Sequence, residues 1–154
     1  LETALGAFAP ALQDEFTKAM LLRLGLQSKT KESDAELARA VWAFLAESKA
    51  PFERMFFDWY GGEGSAERAG RSPSNETYSD DVFRPVRDAL RDYAPRRDAK
   101  TEHPYFRRPA PCTMLIDEVE AIWSPIAEHD DWSLFNAKLD AIAEMSDALG
   151  SIRT

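Results

Sequence analysis

The chain has 154 residues, 44% hydrophobic and 30% charged, which suits one globular unit long enough to bury a core. Its 27 acidic and 19 basic side chains leave a net charge of −8, which argues against a nucleic-acid binder needing a basic face for phosphates. No apolar run approaches the roughly 20 residues that span a bilayer, and the single cysteine, Cys112, excludes an internal disulfide framework and a cysteine-based zinc site.

The chain holds 23 alanines but only 9 valines and isoleucines together. Helices favour alanine and strands favour β-branched residues, so the expected fold is all-α with almost no sheet. Charge divides the chain into three stretches. Residues 1–60 carry net −2, residues 61–111 net +1, and residues 112–154 net −7. The expectation is a single helical domain over 1–154 with about six or seven helices. It comprises a helical array (1–60), a loop-rich middle with one helix (61–111) and an acidic terminal αα-hairpin (112–154). The chain opens on Leu1 inside a helix-like pattern, so it is expected to be a fragment or a processed product of a longer protein.

Pro10 suits the first turn of a helix. Leu12, Phe16, Met20 and Leu24 follow at intervals of four, a core-facing stripe that Gly25 terminates. Leu26–Glu32 reads as polar linker. Ser33-Asp34-Ala35-Glu36 has the pattern of a capping box, ahead of Leu37, Val41, Phe44 and Leu45 at helical spacing. Pro51 then opens a short helix with Phe52, Met55, Phe56 and Trp59 on one face, stopped by Gly61-Gly62.

Gly61–Ser79, with four Gly and four Ser, reads as a loop. Val82, Phe83, Val86, Leu90 and Tyr93 suggest a helix interrupted by Pro85. Either the helix starts near Pro85 or its first turn is separate. Four prolines between Ala94 and Pro111 predict extended or irregular chain. Thr113 is placed to cap a helix bearing Leu115, Ile116, Val119, Ile122 and Trp123, which Pro125 ends or kinks. Asp130 and Asp131 precede a last helix with Trp132, Phe135, Leu139, Ile142 and Met145, closed by Gly150.

Several clusters could carry chemistry, and each has a plainer reading. Glu128-His129-Asp130-Asp131 is ligand-like, yet it lies between two helices where aspartates serve as caps, and no second histidine is near in sequence. Asp117 and Glu120 share a helix face and could act as paired carboxylates. The simpler reading of Asp117, Glu118 and Glu120 is a solvated face whose acids complement the helix dipole. Gly61–Ser65 lacks the spacing of a phosphate loop. Cys112 has no Cys-x-x-Cys partner, and the two histidines are expected in loops, so a structural thiol is the default. Asn75-Glu76-Thr77 matches a glycosylation sequon, without the secretory signal that would give it meaning. Arg96, Arg97, Lys100, Arg107 and Arg108, interleaved with Tyr105 and Phe106, form a basic-aromatic patch. It could grip phosphate or an acidic partner, but pairing with the acidic helices of the same protein is preferred. Phe57 and Tyr60 fall off the main stripe and are expected to pack on a neighbouring domain. No catalytic, cofactor-binding or metal-ligating residue is assigned.

The order of several motifs resembles the late part of the selenoprotein O family. These are Ala4-Leu5 with Phe8, then Phe16, Met20 and Arg23-Leu24-Gly25-Leu26. The helix with Trp42, Phe44 and Leu45 follows, with Phe52-Glu53-Arg54-Met55-Phe56 after it. Ile116–Ile122 and Asp131-Trp132-Ser133-Leu134-Phe135 with Leu139 are similar to the family's closing helix pair. Ala110-Pro111 and Leu115-Ile116 stand where the family often has Asn-Pro ahead of Arg-Asn. The resemblance implies a kinase-like protein adenylyltransferase that transfers AMP from ATP to protein hydroxyls with a divalent metal. This chain would be its C-terminal helical region, braced against the N-terminal kinase-like domain of the same chain. ATP and Mg would belong to that parent chain, with their ligands upstream. Protein substrates would be its partners, with no nucleic acid and no membrane, in a bacterial cytoplasm. The rival expectation is a free-standing all-α interaction domain using the aromatic and Arg-rich patches.

Overall fold

The computed structural model describes residues 2–150, with side chains from Phe8 onward. Ser151–Thr154 and the side chains of the Ala4-Leu5 pair lie outside the described residues. Among the described residues eight α-helices follow one another, one more than the upper expected count: α1 (Glu2–Arg23), α2 (Lys31–Ser48), α3 (Phe52–Asp58), α4 (Ala66–Gly70), α5 (Asn75–Ser79), α6 (Arg84–Leu90), α7 (Ile116–His129) and α8 (Ser133–Leu149). Three 3-10 turns, at Gly62–Ser65, Asp81–Phe83 and Pro104–Arg107, connect them. The extended pairing among the described residues is an isolated antiparallel bridge between Leu26 and Pro95.

Helix α1 runs straight through Pro10, which is exposed, so that proline is not a start signal. One missing N–H is tolerated inside a helix of 22 residues. The apolar stripe of α1 is buried only in its later half. Met20 and Leu24 are buried and Phe16 partly so, whereas Leu12 is 57% exposed. The helix closes in a Schellman motif, with Leu26 N–H donating to Leu21 O and Gly25 N–H to Leu22 O, each at 3.0 Å. This needs the left-handed conformation that Gly25 adopts at φ +64°.

The predicted linker lies two residues earlier and is less polar in effect than expected. Leu26 is fully buried, and α2 begins at Lys31. Its cap is Thr30, whose Oγ1 accepts from Ser33 N–H at 3.2 Å, so the expected capping box at Ser33 lies one turn too late. Asp34 serves the interior instead. It accepts from Ser28 Oγ (2.5 Å), Lys29 N–H (3.1 Å) and Tyr93 OH (2.8 Å), tying α2 to the chain beyond α6. A Thr30→Ala chain should lose about 1 kcal/mol, the usual worth of such a cap, read from the urea midpoint.

The middle is helical where a loop was expected. Gly62–Ser65, α4 and α5 are turns of four or five residues, too short to show a periodic apolar pattern. Tertiary anchors hold them: Ser65, Ala69, Ser72 and Tyr78 are buried. Both readings of Pro85 are realised together. A separate 3-10 turn covers Asp81–Phe83, and Pro85 sits in the first turn of α6. Between α6 and α7 the chain is irregular, as its prolines predict, apart from the bridge at Pro95 and the turn at Pro104–Arg107.

The main core gathers α1, α2, α3 and α6. Phe44, Trp59, Tyr78 and Phe83 form its aromatic centre, with ring centroids 4.8 Å (Phe44 to Phe83) to 6.1 Å (Phe44 to Tyr78) apart. A second cluster corrects the expectation for Phe57 and Tyr60. They pack within the chain on Tyr105, Phe106 and Ala148, with Tyr60 stacked 4.6 Å from Phe106. The proline-rich segment folds back to deliver those aromatics, so no neighbouring domain is required there. Cys112 packs against this cluster, half-buried, and its N–H donates to Tyr105 OH at 3.0 Å.

Candidate functional site

The most polar interior point is Asp58, the last residue of α3, whose residue surface is 1% exposed. Ser72 Oγ donates to Oδ2 at 2.5 Å and Tyr78 OH at 2.8 Å, and a guanidinium nitrogen of Arg54 stands 3.8 Å from Oδ1. Burial nevertheless holds the Asp58 carboxyl above the usual carboxylate range. The same burial, reinforced by the Asp58 charge, pushes the Tyr78 phenol up.

Arg68 of α4 lies beside it. Its Nε donates to Asp58 O at 3.2 Å, and its Nη2 donates to Tyr60 O (2.6 Å) and Ser65 Oγ (2.9 Å). A helix C-terminus leaves such carbonyls without intrahelical donors, and this guanidinium supplies them. The group also lies 4.7 Å from the centre of the Phe106 ring.

Around this point opens a cleft of about 470 Å³. Five arginines line it: Arg54, Arg68, Arg71, Arg107 and Arg108. Phe57 and Phe106 supply its apolar wall, and Asp58 is the sole acidic residue in its lining. Two rim carboxylates compete for the arginines. Glu67 pairs with Arg71 at 2.7 Å, both well exposed, and Glu144 of α8 pairs with Arg108 at 2.7 Å. Arg54 also donates to Pro109 O at 2.8 Å. Arg107 is exposed and has no carboxylate within 4.0 Å among the described residues.

A second surface lies on the hairpin. No side chain of α7 is buried, and α8 buries only Ala148. Leu115 (63%), Ile116 (68%) and Trp123 (63%) are exposed, as are Val119, Trp132, Leu134, Phe135 and Leu139. The stripes expected for these helices therefore exist, but most of their large side chains face outward. The C-terminal turns of α8 hold the hairpin to the body. Lys100 donates to Asp147 at 2.5 Å, His103 Nε2 lies 2.9 Å from the same carboxylate, and Arg108 binds Glu144.

The residues singled out in the sequence fall as follows. The basic-aromatic patch divides: Lys100 and Arg108 pair with α8, Arg96 turns to Asp98, and Arg107 enters the cleft. Asp131 accepts from Ser133 N–H at 2.9 Å and so serves the start of α8, while Asp130 closes α7 at φ 53° and accepts from Trp132 Nε1. His129 belongs to the last turn of α7 and not to a loop. Pro125 does not end α7, which continues to His129. Thr113 acts one step removed from a cap: its Oγ1 donates to Glu118, which also accepts from Leu115 N–H at 3.0 Å. Those bonds hold the Glu118 carboxyl below its ordinary range. Asp117 and Glu120 stay exposed.

Sequence reasoning missed Asp58, Arg54 and Arg68. One signal was available. Asp58 is flanked by Phe56, Phe57, Trp59 and Tyr60, and a carboxylate inside such an aromatic run must go in with its neighbours and find partners.

The architecture is an all-α scaffold with two presented surfaces, one cationic and concave, the other apolar and open. The sequence profile of protein adenylyltransferase SelO matches residues 1–143. The chain belongs to that family. No curated protein and no solved structure matches it.

The acidic and histidine side chains of the described residues do not form a site for Mg. Among the described residues no group of three or more His, Cys, Asp or Glu side chains could hold a metal ion. No helix of the described residues is long and apolar enough to cross a membrane.

Proposed function

We propose that this chain is the helical bracing region of a SelO-type protein adenylyltransferase, seated against the kinase-like part that binds ATP and Mg and modifies protein hydroxyls. The bacterial cytoplasm is the setting this reading assumes. The observation that carries it is the open face of α7 and α8. Ile116 and Trp123 are each more than 60% exposed on a helix with no buried residue, and large apolar side chains gathered on an open helix face mark a contact surface. In this role the chain contributes no ligand to nucleotide or metal. It stabilises the catalytic part by covering it, and the Lys100, His103 and Arg108 ties fix the angle at which the hairpin is presented.

The test is an Ile116→Asp, Trp123→Asp double variant in the intact natural protein. Both sites are surface positions of this unit, so its own helices should form normally by circular dichroism. Adenylylation of acceptor protein should fall at least about tenfold, the effect of losing a central apolar contact of roughly 1.5–3 kcal/mol. Full activity in the double variant would overturn the bracing role and favour a separate interaction domain.

A further inference from the structure

The hairpin face accounts for one surface; of the arginines that line the cleft, only Arg108 has a part in that role. Gathering five guanidinium groups around one cleft is costly in a chain of net charge −8, because like charges repel. Internal structure explains only part of the gathering. Arg68 caps the end of α3, and Arg54 ties Asp58 to Pro109. Arg71 and Arg107 are exposed and stabilise nothing buried. The one acid in the lining, Asp58, is already occupied by Ser72 and Tyr78 inside the protein. The cleft therefore presents a surplus of positive charge.

Its chemistry is selective. A guanidinium offers paired donors in a planar fork that matches two oxygens of a phosphate. Here the forks stand on three different segments: Arg54 on α3, Arg68 and Arg71 at α4, and Arg107 and Arg108 at the last 3-10 turn. Arg54 and Arg68 are held by carbonyl hydrogen bonds, so part of the ordering cost is met before any ligand arrives. The volume of about 470 Å³ is in the range of small-molecule sites and well beyond a lone phosphate ion, and Phe57 and Phe106 offer an apolar wall.

We infer that this cleft binds a small phosphorylated ligand carrying two or more negative charges, gripped through its phosphoryl oxygens by Arg71, Arg107 and Arg108 against the fixed Arg54 and Arg68. The site is metal-free in its grip: the guanidinium groups neutralise the phosphoryl charge directly. On binding, Arg71 and Arg108 exchange Glu67 and Glu144 for the ligand, so α8 is loosened at Glu144 as the cleft fills. The inference stands apart from the bracing role and does not depend on it.

The experiment is hydrogen–deuterium exchange on the intact natural protein with pyrophosphate, AMP or adenosine as probe. Reading the segments 66–73 and 104–109 separates this cleft from nucleotide bound elsewhere. Pyrophosphate and AMP should slow exchange in both segments, and adenosine should not. An Arg71→Gln, Arg107→Gln variant should need at least about tenfold more probe for the same protection, since two charge-assisted phosphoryl contacts are lost. Both residues are exposed, and an Arg84→Gln variant, exposed and outside the cleft, should behave as the parent. Stronger protection by pyrophosphate identifies a free polyphosphate as the source, and stronger protection by AMP a nucleotide; either supports the site. No protection of these segments, or protection unchanged in the double variant, overturns it.

Discussion

Replacing Asp58 by alanine should lower stability by about 3–5 kcal/mol, because breaking a buried ion pair strands its partners. Tyr78 OH and Ser72 Oγ would each lose their acceptor in a buried site, and Arg54 would lose its counter-charge. In a chain of this size that corresponds to a fall in melting temperature on the order of 10 °C, read by calorimetry. Asp58→Asn should cost less, since the amide oxygen still accepts. The asparagine variant also tests the pH dependence. Burial raises the Asp58 carboxyl in the folded state, so the folded protein binds its proton more tightly than the unfolded chain. Its contribution is therefore fully present below the unfolded value near 3.8 and is lost as pH rises through the raised folded value. Asp34 works in the opposite sense. Burial opposes its ionisation, but the bonds from Ser28, Lys29 and Tyr93 outweigh that and hold its carboxyl low. Its contribution is present above the unfolded value and is lost as pH falls through the depressed one. Asp58→Asn should thus remove the decline in stability that sets in as pH rises above the unfolded value near 3.8, and leave the acid limb in place. Identical melting of parent and Asp58→Ala chains would show that the network is inert.

Gly25→Ala should cost about 2–3 kcal/mol, large for a single added methyl group. Two effects combine. The left-handed conformation at φ +64° costs a side chain roughly 1–2 kcal/mol. The new Cβ would also meet the Tyr60 ring at 2.8 Å, closer than any relaxed contact. Tyr60 cannot yield readily, because it is buried at 1% exposure and stacked on Phe106. Gly70 is the comparison. An added Cβ there meets nothing within 4 Å, so Gly70→Ala should be neutral or stabilising by up to about 1 kcal/mol. Equal urea midpoints for the two variants would refute this account of Gly25.

The contrast between α2 and α4 shows what was legible in the sequence. Leu37, Val41 and Phe44 repeat at helical spacing over several turns, and all three are buried as that spacing requires. The turns at Gly62–Ser65, Ala66–Gly70 and Asn75–Ser79 hold four or five residues each and cannot display a period. They exist because Arg68 and Ser65 satisfy carbonyls at the end of α3 and because Ser72 and Tyr78 must reach Asp58. Nothing local encodes that. The cleft was hidden for the same reason: Arg54, Arg71 and Arg107 are far apart in sequence, and only the fold brings them together. Half of the hairpin was readable. The apolar stripes of α7 and α8 are where the spacing puts them, but spacing cannot say whether a stripe meets this chain's core or another surface. The placement of Phe57 and Tyr60 failed in the converse way. Being off the main stripe did not mean facing outward, because a second, smaller core formed on that side.

The junction at the end of α1 has a consequence for how the chain folds. Leu26 bridges Pro95, Gln27 N–H donates to Ala94 O, Arg96 N–H donates to Gly25 O, and Gly61 N–H donates to Leu24 O. Three stretches remote in sequence are thus knotted at a four-residue corner. Closing a loop of that span carries an entropic cost of about 4 kcal/mol before any contact offsets it. Helices α2, α3 and α6 lie inside the span this corner closes, so its contacts join residues farther apart in sequence than most contacts among those helices and are expected to form after them. It acts as a latch on an assembled body. The segment carrying Tyr105, Phe106, Arg107 and Arg108 lies shortly beyond it, so the arginine cleft is expected to be completed late in folding.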